Sequence, residues 1–387
     1  MKRLIPLFIV FFNVSISAQN TEYSIIVKDI ETQLPIENAM VVIMKTKQVL
    51  MSNEEGKVTF MLTGASNIQT SETNYESLTT RWIALKENEF VIYLKNKKNK
   101  LTEIVVSKES PQKILQKIVS NSIKRLTMPY RLKVYVREYF ILDDKYSYYN
   151  DGLVNFQFTG KNKKATTTLL VEQNRSYGLI EKDVSADLKG YNLNDIMENY
   201  SNLDYLEPIL DSKAKKEYDF IIKGFPGNKD YYVMSITPLD KTKKEMDSFE
   251  VTYDHKRKVI MGFTCSLNPS TPSGEEKPAV GSKNITRSFI KVSYRIDGAD
   301  YYLLNSNEEI AYNLVLKDNK VKNIQVRNSF ITTNFNKQNF TYNESDVFKE
   351  KTLFNKKNKI LTKYWDISGF TATDKEKEII SSLEFKM

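Results

Sequence analysis

The chain has 387 residues, 41% of them hydrophobic, with 57 Lys and Arg against 48 Asp and Glu for a formal net charge of +9. A mean hydropathy of −0.45 argues against a polytopic membrane protein. A single Cys excludes an internal disulfide and any Cys-built metal centre, and a single His excludes every site that needs two.

Residues 1–18 read as a signal peptide. Met1-Lys2-Arg3 is the charged start, Leu4 to Phe12 is an apolar run too short to span a bilayer, and Ser15 to Ala18 supplies small residues for cleavage. Cleavage after Ala18 leaves Gln19 first, and no Cys follows for lipid attachment. No later stretch is long and apolar enough for a transmembrane helix. The expectation is an exported protein, in the periplasm, at the outer membrane or secreted. Peripheral association with a membrane is compatible with that placement.

Charge divides unevenly. Residues 19–107 hold 10 basic and 11 acidic residues, residues 108–387 hold 45 and 37. The bases are interspersed with acids and match no nucleic-acid-binding module, so nucleic acid is not an expected partner.

Residues 22–95 alternate short apolar runs with turns. Tyr23 to Val27, Ala39 to Met44, Lys57 to Leu62 and Phe90 to Leu94 are expected strands, and Ser52 to Gly56 is a turn. Their spacing predicts a small antiparallel sandwich. Val27-Lys28-Asp29, Thr32, Pro35-Ile36, Asn38-Ala39, Val41-Val42 and Ser52 to Phe60 together resemble the carboxypeptidase-regulatory-like domain. That resemblance implies a transthyretin-like β-sandwich in an exported Gram-negative envelope protein, and it implies no peptidase activity. The Gly usual before the first Val-x-Asp is missing here, where Ser24 and Ile25 stand.

Asn96 to Lys100 reads as an exposed basic linker. Leu101 to Ser107 is similar to the segment that trails this module in outer-membrane receptors, but no barrel pattern follows it. Ser110-Pro111 opens a helix with Ile114, Leu115, Ile118, Val119, Ile123 and Leu126 on one face, stopped by Pro129. From Tyr130 the chain is mostly strand: Leu132 to Val136, Val154 to Phe158, Phe249 to Tyr253, Val259 to Cys265, Ser288 to Ile296, Tyr301 to Leu304, Ala311 to Leu316 and Ile324 to Ile331. Asp297-Gly298 marks a hairpin. Asn192 to Leu210 is a helical insert, Asn268 to Gly281 a long loop, and Thr373 to Glu376 a capping box before a last helix. The fold class is mainly β: a transthyretin-like sandwich over 19–107, then a larger antiparallel sheet with a few helices over 108–387. The order of these elements resembles the half-barrel of periplasmic lipoprotein carriers.

Candidate chemistry is sparse. His255 lies in the charged turn Asp254 to Lys258, where a solvated role is expected rather than general base work. Cys265 is expected to be a buried small hydrophobe. The acidic pairs Glu54-Glu55, Asp143-Asp144, Glu275-Glu276 and Glu308-Glu309 could serve a His-independent hydrolase, but neighbours on a strand point apart and most of these pairs sit at turns. Of 23 Tyr, 20 lie at or beyond Tyr130. Strand propensity accounts for them before an aromatic sugar- or lipid-binding surface does. No residue is nominated as catalytic, cofactor-binding or metal-ligating, and no cofactor is expected. The chain reads as a non-catalytic binding or scaffolding module for envelope proteins, a lipid or a glycan. The alternative is a carrier of an apolar ligand in a concave sheet, with the two helices as lids.

Overall fold

The computed structural model describes residues 21–384 apart from 73, 98–103, 106, 127, 162–163, 179–191, 226–227, 240–245, 268–280, 282, 317–319, 355 and 361–369. The expected signal peptide, Lys98 to Lys100 and the loop from Asn268 to Val280, with Glu275-Glu276, lie outside the described residues.

The N-terminal strands form two small sheets. In the first, β1 (Thr21–Asp29) lies between β4 (Lys57–Leu62), antiparallel, and β7 (Val91–Leu94), parallel. In the second, the order is β3 (Gln48–Met51), β2 (Met40–Ile43), β5 (Ile68–Ser71) and β6 (Leu78–Thr80), all antiparallel. Alternation sends Ile25, Val27, Val41, Ile43, Val58, Phe60 and Leu62 inward, where they form one core with Ile68, Ile92 and Leu94. The parallel pairing departs from the all-antiparallel expectation. It needs a long crossover, which residues 30–90 supply between β1 and β7. Within that crossover, helix α1 (Trp82–Glu87) buries Trp82 and Leu85.

The turn before β4 is built by the residues that marked it in the sequence. Ser52 Oγ donates to Ile36 O at 2.6 Å and accepts Ala39 N at 2.8 Å. Asn53 Oδ1 accepts the backbone of Glu55 and Lys57. Gly56 has φ +70, and a Cβ there would stand 2.4 Å from Val27 O. Only glycine fits.

Residues 104–105 do not belong to this unit. Ile104 bridges Lys223, and Val105 N donates to Ile222 O at 2.9 Å, so the segment docks on the second unit. Asn96 and Lys97 are held against Tyr75 and Asn74, so the start of the expected linker is half-buried structure rather than an exposed run.

The second unit is one open ten-stranded sheet, not a closed barrel, with the order β10-β9-β8-β17-β16-β15-β14-β13-β12-β11. It contains β8 (Tyr130–Leu142), β9 (Lys145–Lys161), β10 (Lys164–Gly178), β11 (Tyr218–Phe225), β12 (Asn228–Pro238), β13 (Asp247–Asp254), β14 (Val259–Leu267), β15 (Lys283–Asp297), β16 (Asp300–Val315) and β17 (Val321–Asn336). The chain enters mid-sheet, runs to one edge, crosses to the other, and walks back until β17 pairs with β8. Both edges are occupied in part: Val347 and Lys359 bridge β10, and Ile104 bridges β11. Tyr301 to Leu304 and Ala311 to Leu316, expected as separate strands, are parts of the single strand β16. The polar run between them alternates in burial, with Ser306 and Glu308 inside.

Helix α2 (Pro111–Arg125) has Ser110 at its N-cap and buries Leu115, Ile118 and Val119 against one sheet face. Ser122 Oγ accepts Ile260 N at 2.9 Å and seats the helix on β14. Helix α3 (Leu193–Asn202) is capped by the Asn192 side chain and ended by Leu203 in the left-handed region. Tyr200 O accepts Tyr294 OH at 2.6 Å. Both helices join one core with Val134, Phe156, Val251, Phe263 and Val292. The face expected to form a ligand concavity is thus packed by its expected lids.

Helix α4 (Asp374–Glu384) starts with a reciprocal capping box: Thr373 N donates to Glu376 Oε2 at 2.8 Å, and Glu376 N to Thr373 Oγ1 at 3.1 Å. Its Ile380 and Leu383 pack on Tyr139 and Tyr149, on the other sheet face.

Candidate binding cleft

Strand alternation makes the helix-free face of β13 to β16 polar. While Val251, Phe263 and Val292 point to the core, the residues between them point outward. Two cross-strand rows result. Thr252, Gly262, Ser293 and Asn305 are successive register partners, and so are Glu250, Thr264, Lys291 and Asn307. Four strands span about 14 Å across, and rows two residues apart lie about 7 Å from each other.

All eight residues line a cleft of about 670 Å³ between this face and the N-terminal sandwich. Asn38, Met40, Met51, Ser71, Glu72, Asn74 and Lys97 form its opposite wall. Phe225 and Tyr231, in edge contact at 6.0 Å, stand at the β11–β12 side. Burial pushes the Lys97 ammonium below its usual range, against the pull of Glu72 and Glu76. Arg295 Nη1 lies 3.6 Å from Met40 Sδ across the cleft.

The side chains of Thr252, Thr264, Ser293, Asn305 and Asn307 make no hydrogen bond within the protein among the described residues. Each is half-buried and faces the cleft. Their donors and acceptors are free for a ligand or for water.

The sandwich is held over the sheet beside this cleft. Met51 packs with Tyr135, Leu153, Ile331 and Phe370. Asn53 Nδ2 donates to Thr371 O at 3.2 Å, Thr59 N to Thr371 Oγ1 at 2.9 Å, and Asp374 N to Glu55 Oε1 at 2.9 Å. The segment from Phe370 to Asp374 is therefore the strap between the two units. Arg137 and Arg175 flank Asp151 in register on β8, β9 and β10 beneath it, and Arg175 Nε lies 2.8 Å from Asp151 Oδ1.

The residues weighed from the sequence are scattered. His255 is not simply solvated: it is half-buried, stacks on Tyr232 at 4.5 Å, and its Nδ1 lies 2.9 Å from Asp230 O. Cys265 is buried, and burial with nearby Asp247 pushes its thiol well up. Asp143-Asp144 form the β8–β9 turn, both at positive φ, with Asp143 Oδ1 accepting Asn323 N. Glu55 binds the strap. Glu308 and Glu309 point to opposite faces. Glu309 meets Arg287 at 3.1 Å outside, whereas Glu308 is buried and accepts Tyr200 OH and Tyr205 OH. Burial raises the Glu308 carboxyl to about 7. Among the described residues, no group of three or more His, Cys, Asp and Glu could hold a metal ion.

No protein-family model and no curated protein matches this chain. Among solved structures, one of lipovitellin, described for its lipid–protein interactions, aligns at 9% identity and a TM-score of 0.26 over 56% of this chain. The match spans 26% of that chain, about a quarter of its length. At this TM-score the likeness carries no argument. No helix among the described residues is long and apolar enough to cross a membrane.

The floor residues were not singled out from the sequence. Their one local signal is Ser, Thr, Asn and Lys at every second position of β13 to β16, which any solvated sheet face shows.

Proposed function

We propose that this is a non-catalytic exported protein of the Gram-negative envelope that binds or scaffolds through the cleft between its sandwich and its large sheet. The carrying observation is the floor of five hydroxyl and amide side chains with unspent hydrogen bonds, facing a cleft of about 670 Å³. Ligand sites combine such convergent polar groups with a concave shape. The Met1 to Ala18 pattern and the resemblance of Val27 to Phe60 to a regulatory-like module support export and an envelope role.

The test uses the mature chain in two ways. Hydrogen exchange of β13 to β16 is expected to slow when solubilised envelope material is added. Protection confined to other strands would move the site elsewhere. Stoichiometric zinc or chelator-sensitive peptide cleavage would overturn the non-catalytic reading, since zinc peptidase sites of the two-His type need one His more than this chain has. An apolar-ligand carrier using the other face would need α2 and α3 to leave the core, and lipid co-extracted with the purified protein would favour it.

A further inference from the structure

We infer that the cleft takes an oligosaccharide, whose hydroxyls bond the floor side chains while a sugar ring stacks at Phe225 and Tyr231. This rests on the reading of the cleft as the binding site.

The shape and chemistry of the floor separate a glycan from other occupants. The floor offers Thr252, Thr264, Ser293, Asn305 and Asn307, side chains that both donate and accept, as sugar hydroxyls do. Its dimensions, about 14 by 7 Å, suit two or three pyranose rings lying flat. Gly262 sits within the first row without a side chain, because a Cβ there would stand 2.7 Å from Val292 O of the neighbouring strand, so this row position adds no side chain to the floor.

A peptide is served poorly. The floor strands are interior, each paired on both sides, so no free backbone ladder exists for an added strand. The two floor rows contain no apolar side chain and the apolar lining of Met40, Met51, Met261, Phe289 and Leu304 lies around them, so a ligand with both hydroxyls and an apolar ring face fits better than a bare acyl chain. At the rim, Phe225 and Tyr231 are half-buried and supply aromatic faces for the C–H side of a sugar ring. Lys291, exposed in the second row, forms no ion pair within 4 Å among the described residues; Glu37 is its electrostatic neighbour and Glu250 shares its row, so an acidic sugar is favoured over a neutral one where its carboxylate displaces them at the ammonium.

The experiment is saturation-transfer NMR and calorimetry on the full mature chain. The probes are neutral, amino-sugar and uronic-acid oligosaccharides of two to four units, beside a panel of extended decapeptides. At least one saccharide is expected to bind, a uronic-acid probe most tightly, and the double variant Asn305→Ala, Asn307→Ala to weaken it about tenfold or more. Thr252→Val with Thr264→Val is the second pair and should act in the same direction. Both pairs replace half-buried surface groups, and circular dichroism and thermal melting should match the parent. Peptide binding at the floor without saccharide binding overturns the glycan and leaves the cleft as the site. No binding by either panel overturns both readings, and saccharide binding that neither pair weakens overturns the glycan placement.

Discussion

Arg137 on the large sheet and Glu376 in the first turn of the last helix meet at 3.2 Å, with the arginine side chain only 3% exposed. The guanidinium also donates to Phe370 O at 2.6 Å and to Tyr135 OH at 2.8 Å. Tyr135 OH in turn donates to Asp151, which Arg175 holds from its other side. One buried cation thus ties the strap to the sheet, and the strap holds the sandwich beside the cleft.

Removing that cation should therefore cost more than one contact. Arg137→Met leaves Phe370 O without its side-chain donor and Glu376 without its cation, with Thr373 N still donating to the carboxylate, and breaking a buried pair typically costs about 3–5 kcal/mol. Glu376→Gln keeps much of the geometry and should cost about 1 kcal/mol. Urea unfolding of both variants checks the order. Equal small losses would show that the strap is held elsewhere.

Glu308 makes stability depend on pH. Burial in the core disfavours its charge and raises the carboxyl to about 7 in the fold against an ordinary 4.5, over the opposing pull of the hydrogen bonds from Tyr200 and Tyr205. Between those values the folded chain holds a proton that the unfolded chain has released. Rising pH therefore favours unfolding. The contribution is fully present below pH 4.5 and lost above pH 7, an effect on the order of 3 kcal/mol at most. Glu308→Gln should flatten this dependence, gaining about 1–3 kcal/mol at pH 8 and little at pH 4.5. Melting curves across that range decide it, and an unchanged slope would sink the assignment.

What was legible in the sequence was local. Ser110-Pro111 with its apolar stripe gave α2, Asp297-Gly298 gave the β15–β16 hairpin, and Thr373 with Glu376 gave the capping box. What was hidden depended on partners far along the chain. Asn305 to Glu309 read as a break because their polarity is visible, whereas the cover that Tyr200 of α3 gives Glu308 on the inner face is not. Trp82 to Glu87 is too short to show a helical period. The cleft floor looked like an ordinary wet face, since nothing near Thr252 or Asn307 announces that Met40 and Asn74 will stand opposite. The strap joins Thr59 to Thr371, a separation no periodicity reports.

Gly56 is the most position-specific residue of the sandwich. Any side chain there pays for positive φ and collides with the carbonyl of Val27, whose own N–H bonds Gly56 O at 2.8 Å. Gly56→Ala should destabilise the sandwich by about 1–3 kcal/mol. The signals of β1 and β4 should broaden first in NMR spectra, ahead of those from the large sheet. A variant as stable as the parent would mean that the turn is built differently.

The sandwich should also fold by itself. Its core, from Ile25 to Leu94, is drawn wholly from its own residues, on its strands, α1 and the turn before β2. Its ties to the rest run through Met51 and Met40, three hydrogen bonds to the strap segment, and the contact of Arg295 with Met40. Freeing Met51 from Tyr135, Leu153, Ile331 and Phe370 exposes one large apolar side chain, worth about 1.5–3 kcal/mol. A fragment of residues 19–107 should therefore be folded but less stable than the same unit in the whole chain. Residues 104–105 should be unstructured in it, because Lys223 and Ile222, their pairing partners, are gone. Dispersed NMR signals for β1, β2 and β4 with a lowered melting temperature are the expected result. If the fragment shows only random-coil shifts while the whole chain is folded, the two units share one core and the boundary is wrong.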